Sequence, residues 1–141
     1  MDERLAKIAR LGDVVALNAL LKEDPFILEK EINQDGFTPM HMASARGHVD
    51  IVRELLMLGK GHLCLLKDKG ARTPLHWAAI KGRVEIIKEL LDNSCHQAVH
   101  EVTARGETVL HLAVKNNQFE ALRVFVDWLK RDDCLEELPN A

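Results

Sequence analysis

Thr73-Pro74-Leu75-His76-Trp77-Ala78-Ala79-Ile80-Lys81-Gly82-Arg83-Val84-Glu85-Ile86-Ile87-Lys88-Glu89-Leu90-Leu91 spells out a helix, a tight corner and a second helix. Thr73 is placed as an N-cap, its hydroxyl able to accept from an early helical N–H, and Pro74 takes the first helical position, where a missing N–H costs nothing. His76, three residues after the cap, is placed to reach back to it. Gly82 ends the first helix. Val84, Ile87 and Leu91, with Ile86 and Leu90 beside them, set an apolar stripe on a second helix running back along the first. Neither helix can bury its face alone, so the stretch reads as one unit of a stack.

The phrase returns upstream as Thr38-Pro39-Met40-His41-Met42-Ala43-Ser44-Ala45-Arg46-Gly47 and downstream as Thr108-Val109-Leu110-His111-Leu112-Ala113-Val114-Lys115-Asn116-Asn117. His41, His76 and His111 are 35 residues apart, as are Thr38, Thr73 and Thr108, and the same step back from Gly47 reaches Gly12. Period, helix-corner-helix order and the Thr-Pro-Leu-His phrase resemble the ankyrin repeat, whose usual period is about 33. The extra residues of each unit fall between its second helix and the next hairpin, as in Gly59-Lys60-Gly61-His62-Leu63-Cys64. The resemblance implies an all-α solenoid, one domain over 1–141, with units at about 2–32, 33–67, 68–102 and 103–137 joined by β-hairpin-like loops.

The stretches Asn33-Gln34-Asp35-Gly36-Phe37-Thr38-Pro39-Met40-His41, Ala79-Ile80-Lys81-Gly82-Arg83-Val84-Glu85 and Thr103-Ala104-Arg105-Gly106-Glu107-Thr108-Val109-Leu110-His111, with Asn117-Gln118-Phe119-Glu120-Ala121-Leu122, look like the plant ankyrin proteins that carry a C-terminal multi-pass membrane domain and act in defence, development and stress signalling. The resemblance implies a cytosolic interaction part of a membrane-tethered regulator, cytoplasmic or held at the plasma membrane's inner face. Two departures stand out. The chain stops at Leu138-Pro139-Asn140-Ala141, where the next hairpin would start, with no membrane segment, and it lacks a repeat that such relatives carry before the unit at Asn33.

Composition agrees with an interaction module. A formal net charge of −3 and the absence of a long basic run argue against nucleic acid as partner. No apolar stretch approaches the roughly 20 residues of a spanning helix, so direct membrane insertion is not expected, and Met1-Asp2-Glu3-Arg4 is not a signal peptide. Cys64, Cys95 and Cys134 form an odd set without a CxxC pair, which fits inert thiols in a reducing compartment.

Helices are predicted over Arg4 to Leu11, from Val14 to a stop before Asp24-Pro25, over Pro39 to Arg46, Val49 to Leu58, Pro74 to Lys81 and Val84 to Asp92, and over Phe119 to about Lys130. The first unit lacks the Thr-Pro phrase, as a terminal, half-exposed unit can. Phe26, Ile27, Leu28 and Ile32 are expected to bridge to the hairpin at Asn33. In the third hairpin Ala71 stands where Gly36 and Gly106 stand in theirs, so either the turn shifts onto Gly70 or Ala71 is strained by about 1 kcal/mol. Asn117 replaces the corner glycine, which a left-handed conformation tolerates.

Chemistry in the catalytic sense has one candidate. Cys95, His96 and His100 could share a zinc or form a thiol nucleophile pair, but one loop supplies them all, with no second half and no orienting third group. No phosphate-binding glycine loop or paired-carboxylate motif is present, and no cofactor is expected. His41, His76 and His111, one per unit, cannot converge on a single ion; with Thr38, Thr73 and Thr108 they are assigned a structural role, tying cap to neighbouring hairpin.

What remains is surface. By the resemblance, hairpin tips and the last turns of the inner helices line one concave side, which places Gln34, Asp35, Phe37, Arg46, Lys69, Arg72, Trp77, Ile80, Lys81, Arg105, Glu107, Lys115 and Asn116 on it. Arg46 and Lys81 share a repeat position, and Lys115 and Arg10 fall one residue short of it. Two readings follow: a basic ridge for an acidic segment of a partner protein, or cations that complement helix C-terminal dipoles. The expected state is a monomer, with pairing through the open C-terminal face as the alternative.

Overall fold

Eight α-helices and three short 3-10 helices make up the fold among the residues that the computed structural model describes, which are 3–29, 36–59, 61–93 and 95–131. The inner layer is α1 (Glu3–Leu11), α3 (Pro39–Arg46), α5 (Pro74–Lys81) and α7 (Val109–Lys115), and the outer layer is α2 (Val14–Glu23), α4 (Val49–Met57), α6 (Val84–Asp92) and α8 (Phe119–Arg131). Each inner helix packs on its own outer helix and on the inner helix of the next unit, so a single core runs the length of the stack. Leu5, Met40, Leu75 and Val109 from the inner layer meet Leu17, Ile51, Ile86 and Phe125 from the outer within it. No strand forms among the described residues, and the architecture is an all-α ankyrin-type solenoid.

The Thr-His phrase builds the starts of α3, α5 and α7 in the same way. The Thr38, Thr73 and Thr108 hydroxyls accept from the amides of His41, His76 and His111, while each imidazole Nδ1 accepts from the cap residue's own N–H, at 3.2, 3.0 and 3.0 Å. Two orphan donors of the first turn are thereby satisfied. In the two interior units the ring does more. Nε2 of His41 lies 2.8 Å from the Arg72 carbonyl in the third unit's hairpin, and Nε2 of His76 lies 3.1 Å from that of Glu101, at the end of the segment that leads into the fourth hairpin. A carbonyl can only accept, so Nε2 carries the proton and the rings are neutral. Burial lowers the pKa of both histidines, and the carbonyl hydrogen bonds offset only part of that fall. His111 is exposed, and its Nε2 has no such carbonyl among the described residues.

A second repeated contact lies at the corners, where the sequence reading found nothing. His48 donates through Nε2 to the Arg10 carbonyl, Arg83 through Nε to that of Ala45 at 3.1 Å, and Gln118 through Nε2 to that of Ile80 at 3.2 Å, always 38 residues back. The first residue after each corner thus satisfies an orphan carbonyl at the end of the preceding inner helix. It also explains the corner glycines beyond their left-handed backbone. A Cβ on Gly82, which holds φ 69, would collide with the Gln118 amide. Asn117 holds φ 59 at the last corner.

Three expectations need correction, and one open alternative is resolved. Cys64 and Cys95 are joined in a disulfide, both fully buried, and are not inert thiols; Cys134 lies outside the described residues. The stretch at His96–His100, expected as a loop, is a 3-10 turn, as are Ile27–Glu29 and Gly61–Leu65, and Leu63, Ala98 and Val99 are buried from them. Phe26 is 74% exposed, so the bridge to the next hairpin is made by Ile27 and Leu28; Ile32 and Asn33 lie outside the described residues. In the third hairpin the turn does not shift. Ala71 itself takes φ 58, held by Asp68, whose Oδ1 accepts from the Gly70 and Arg72 amides at 2.9 Å each.

Candidate functional site

The last turns of α1, α3 and α5 end side by side and bring Arg10, Arg46 and Lys81 to the rim of one groove of about 480 Å³. His48 and Arg83 complete the basic wall, and Met42 and Ala45 supply the apolar lining. Arg10, Arg46, Lys81 and Arg83 are all exposed, and among the described residues no carboxylate lies within ion-pair distance of any of them. Four cations therefore face one cleft with no ion-pair partner among the described residues, in a chain whose formal net charge is −3. Such a cleft concentrates positive potential and attracts anionic groups over about a Debye length. Arg83 has its Nε fixed on the Ala45 carbonyl, which leaves the outer edge of its guanidinium for a ligand.

At the opposite end of α3 and α5 the hairpin side carries an aromatic pad. Phe37 stacks on His41 with ring centroids 5.2 Å apart and meets Trp77 edge-on at 5.3 Å. The Arg72 guanidinium lies 4.5 Å from the Trp77 ring centroid, and the indole N–H donates to Asp68 Oδ2 at 2.9 Å. Asp68 also pairs with Arg72 at 3.3 Å. Burial would raise the Asp68 carboxyl, but the Arg72 amide, the Trp77 indole and the Arg72 charge outweigh it and hold the group below the usual carboxylate range. Phe37 and Trp77 are half-buried.

Ile80, Arg105, Glu107, Lys115 and Asn116 line a second groove of about 410 Å³, shared with Gly70, Arg72 and Leu112. Its Lys115 is matched within the groove, while Arg105 has no ion-pair partner among the described residues. Lys115 donates to Glu107 at 3.1 Å and this hydrogen bond is the first cause of the lowered Glu107 pKa. The basic ridge expected to run on to Lys115 therefore ends at Lys81 and Arg83. Lys69 is exposed on the third hairpin, and Gln34 and Asp35 lie outside the described residues. The sequence reading left His48, Arg83 and Asp68 out of the site. The first two could have been found as the residues that follow the corner, one per repeat.

The zinc or thiol reading does not survive the geometry. Cys95 is spent in the disulfide, His96 stacks against Trp128 with centroids 6.3 Å apart, and among the described residues no group of three metal-ligating side chains is assembled. Nor is any described helix long and apolar enough to cross a membrane.

Residues 57–134 match a family model described as Ankyrin repeats (3 copies), and residues 35–69 match one described as Ankyrin repeat. A relative is the rice (Oryza sativa subsp. japonica) protein named probable E3 ubiquitin-protein ligase XBOS31, 40% identical over 52 residues, which is 37% of this chain and 12% of that protein. The match thus spans well under two thirds of that relative. With more than half of its length inside the first family model, and with the stacked helix pairs described above, the chain belongs to the ankyrin-repeat family.

Proposed function

We propose that this chain is a non-catalytic module that binds an acidic segment of a partner protein in the Arg10, Arg46, Lys81 and Arg83 groove. Ankyrin repeats are protein-interaction units, and the observation that carries the finer reading is the four cations at one cleft with no ion-pair partner among the described residues. The competing reading, that these cations serve helix C-terminal dipoles, is weakened at two ends. There His48 and Arg83 already cap the Arg10 and Ala45 carbonyls. The resemblance to plant membrane-tethered ankyrin proteins, together with a relative from rice, supports a setting in plant defence or stress signalling on the cytosolic side.

The test is a pull-down from plant tissue with the parent, an Arg46→Glu/Lys81→Glu double variant and a Lys88→Glu control on the outer face of α6. The double variant should lose the partner, more so at low salt, with an unchanged melting curve, because exposed charges contribute little to stability. Lys88, 3.9 Å from Glu85, should not matter. Equal loss in the control, or full retention in the double variant, removes the assignment. Self-association is the second reading, favoured by the exposed Val114 and Phe119 at the α7–α8 corner; light scattering across concentration reads it directly.

A further inference from the structure

We infer that the basic groove and the aromatic pad form one bipartite site, which reads an extended segment carrying acidic residues and, about four residues away, a large apolar side chain. The inference rests on the acidic-segment reading above and adds the composition and spacing of what is bound. Both halves stand on the same two rigid rods. Phe37 directly precedes the α3 cap and Arg46 ends that helix, so the pad and the groove are separated by about 12 Å at 1.5 Å per residue. On α5, Trp77 lies in the first turn and Lys81 at the end. Between the two regions lie the half-buried Met42 and Ile80, so the path is apolar rather than charged.

The pad is organised before any partner arrives. Trp77 is held by the Asp68 carboxylate on its N–H, by Arg72 over its face and by Phe37 at its edge, so little side-chain entropy remains to be lost on binding. The charges also give the site a direction. At the pad the Asp68 carboxylate and the Arg72 guanidinium are paired at 3.3 Å and offset each other, whereas the corner end presents cations with no such partner among the described residues. The acidic residues therefore seat at the corner and the apolar residue at the hairpins. An extended chain covers 12 Å in about four residues at 3.3 Å each. A helix, 10–12 Å across with its side chains, is too wide to settle into a cleft between neighbouring inner helices that stand about 10 Å apart.

Fluorescently labelled synthetic peptides test this without knowledge of the natural partner. Each carries a Glu-Glu pair and one Leu, with one, three, five or seven serines between them, and binding to the intact chain is followed by polarisation at low and high salt. The peptide with three serines should bind tightest, by about fivefold over the shortest and longest, and Leu→Ser in it should erase that advantage. Phe37→Ala in the protein should flatten the spacing series while keeping salt-sensitive binding, and Arg46→Glu/Lys81→Glu should abolish binding. Salt-sensitive binding that ignores both spacing and the Leu overturns the bipartite site and leaves the acidic-segment reading standing. An optimum at seven serines overturns the extended geometry. No salt-sensitive binding by any peptide overturns both readings.

Discussion

His76 and His111 occupy the same place in the same phrase, and their cap geometry is the same: Nδ1 lies 3.0 Å from the cap amide in both. Beyond the cap they differ. His76 is fully buried and bound to the Glu101 carbonyl, in the segment that leads into the fourth hairpin, whereas His111 is exposed. The corner after α5 keeps Gly82 because Gln118 presses on it, and the corner after α7 uses Asn117. The phrase is thus self-sufficient as a helix start, and what turns it into a structural joint is the unit packed against it. Identical residues in a repeat carry different weights according to what stands next to them.

The disulfide should show the largest effect at an interior joint. Reducing Cys64–Cys95, which spans 31 residues between the second and third units, should lower stability by about 3 kcal/mol in denaturant melts. Non-reduced peptide mapping that finds both thiols free in purified protein would remove the basis for it. Next, His76→Ala should cost about 2 kcal/mol, because the Glu101 carbonyl and the Thr73 amide both lose a partner, while His111→Ala should cost less than about 1 kcal/mol. Equal costs would show that the neighbouring unit adds nothing to the joint.

Acid separates the two regions as well. The folded pKa of His41 and His76 lies below the ordinary value, so the unfolded chain takes up protons first as pH falls. Their contribution is complete above about pH 6.5 and is lost as pH falls through the folded values. Asp68 adds a separate loss beginning below about pH 4. A His41→Gln/His76→Gln protein should be less stable at neutral pH and show a flatter decline between about pH 7 and 5; an unchanged slope contradicts the assignment. The smallest effect is expected at the third hairpin. Ala71→Gly relieves a left-handed alanine but loosens the unfolded chain, so stability should stay level or rise by up to about 1 kcal/mol in thermal melts.

How much of this was legible in sequence depended on whether a feature repeats in kind. Thr38, Thr73 and Thr108 with their histidines are the same residues at one spacing, and the helix limits Pro74–Lys81 and Val84–Asp92 follow from them without adjustment. The corner contacts repeat only in function. His48, Arg83 and Gln118 share a position and a donated hydrogen bond but no residue type, so a search for identity passes over them. The disulfide breaks the period altogether: Cys64 lies within its 3-10 turn and Cys95 just before the next one, so no repeat logic pairs them. Of the surface residues, Arg46 and Lys81 were found by their shared position. The neutralisation of Lys115 by Glu107 depends on how the fourth hairpin folds over α7.

The Cys64–Cys95 bond also gives the molecule an uneven response to force. Pulled from its two ends, the chain carries tension across the bridge and not through the segment it encloses, which holds all of α5 and α6 with Trp77, Lys81 and Arg83. About 100 Å of contour is withheld from extension, at roughly 3.4 Å per residue. Arg10, Phe37 and Arg46 lie outside the enclosed loop, so load reaches one side of the proposed binding surface and bypasses the other. A single-molecule stretching trace should be shorter by that length in oxidising than in reducing buffer, which makes the bridge a mechanical fuse between the two halves of the proposed site.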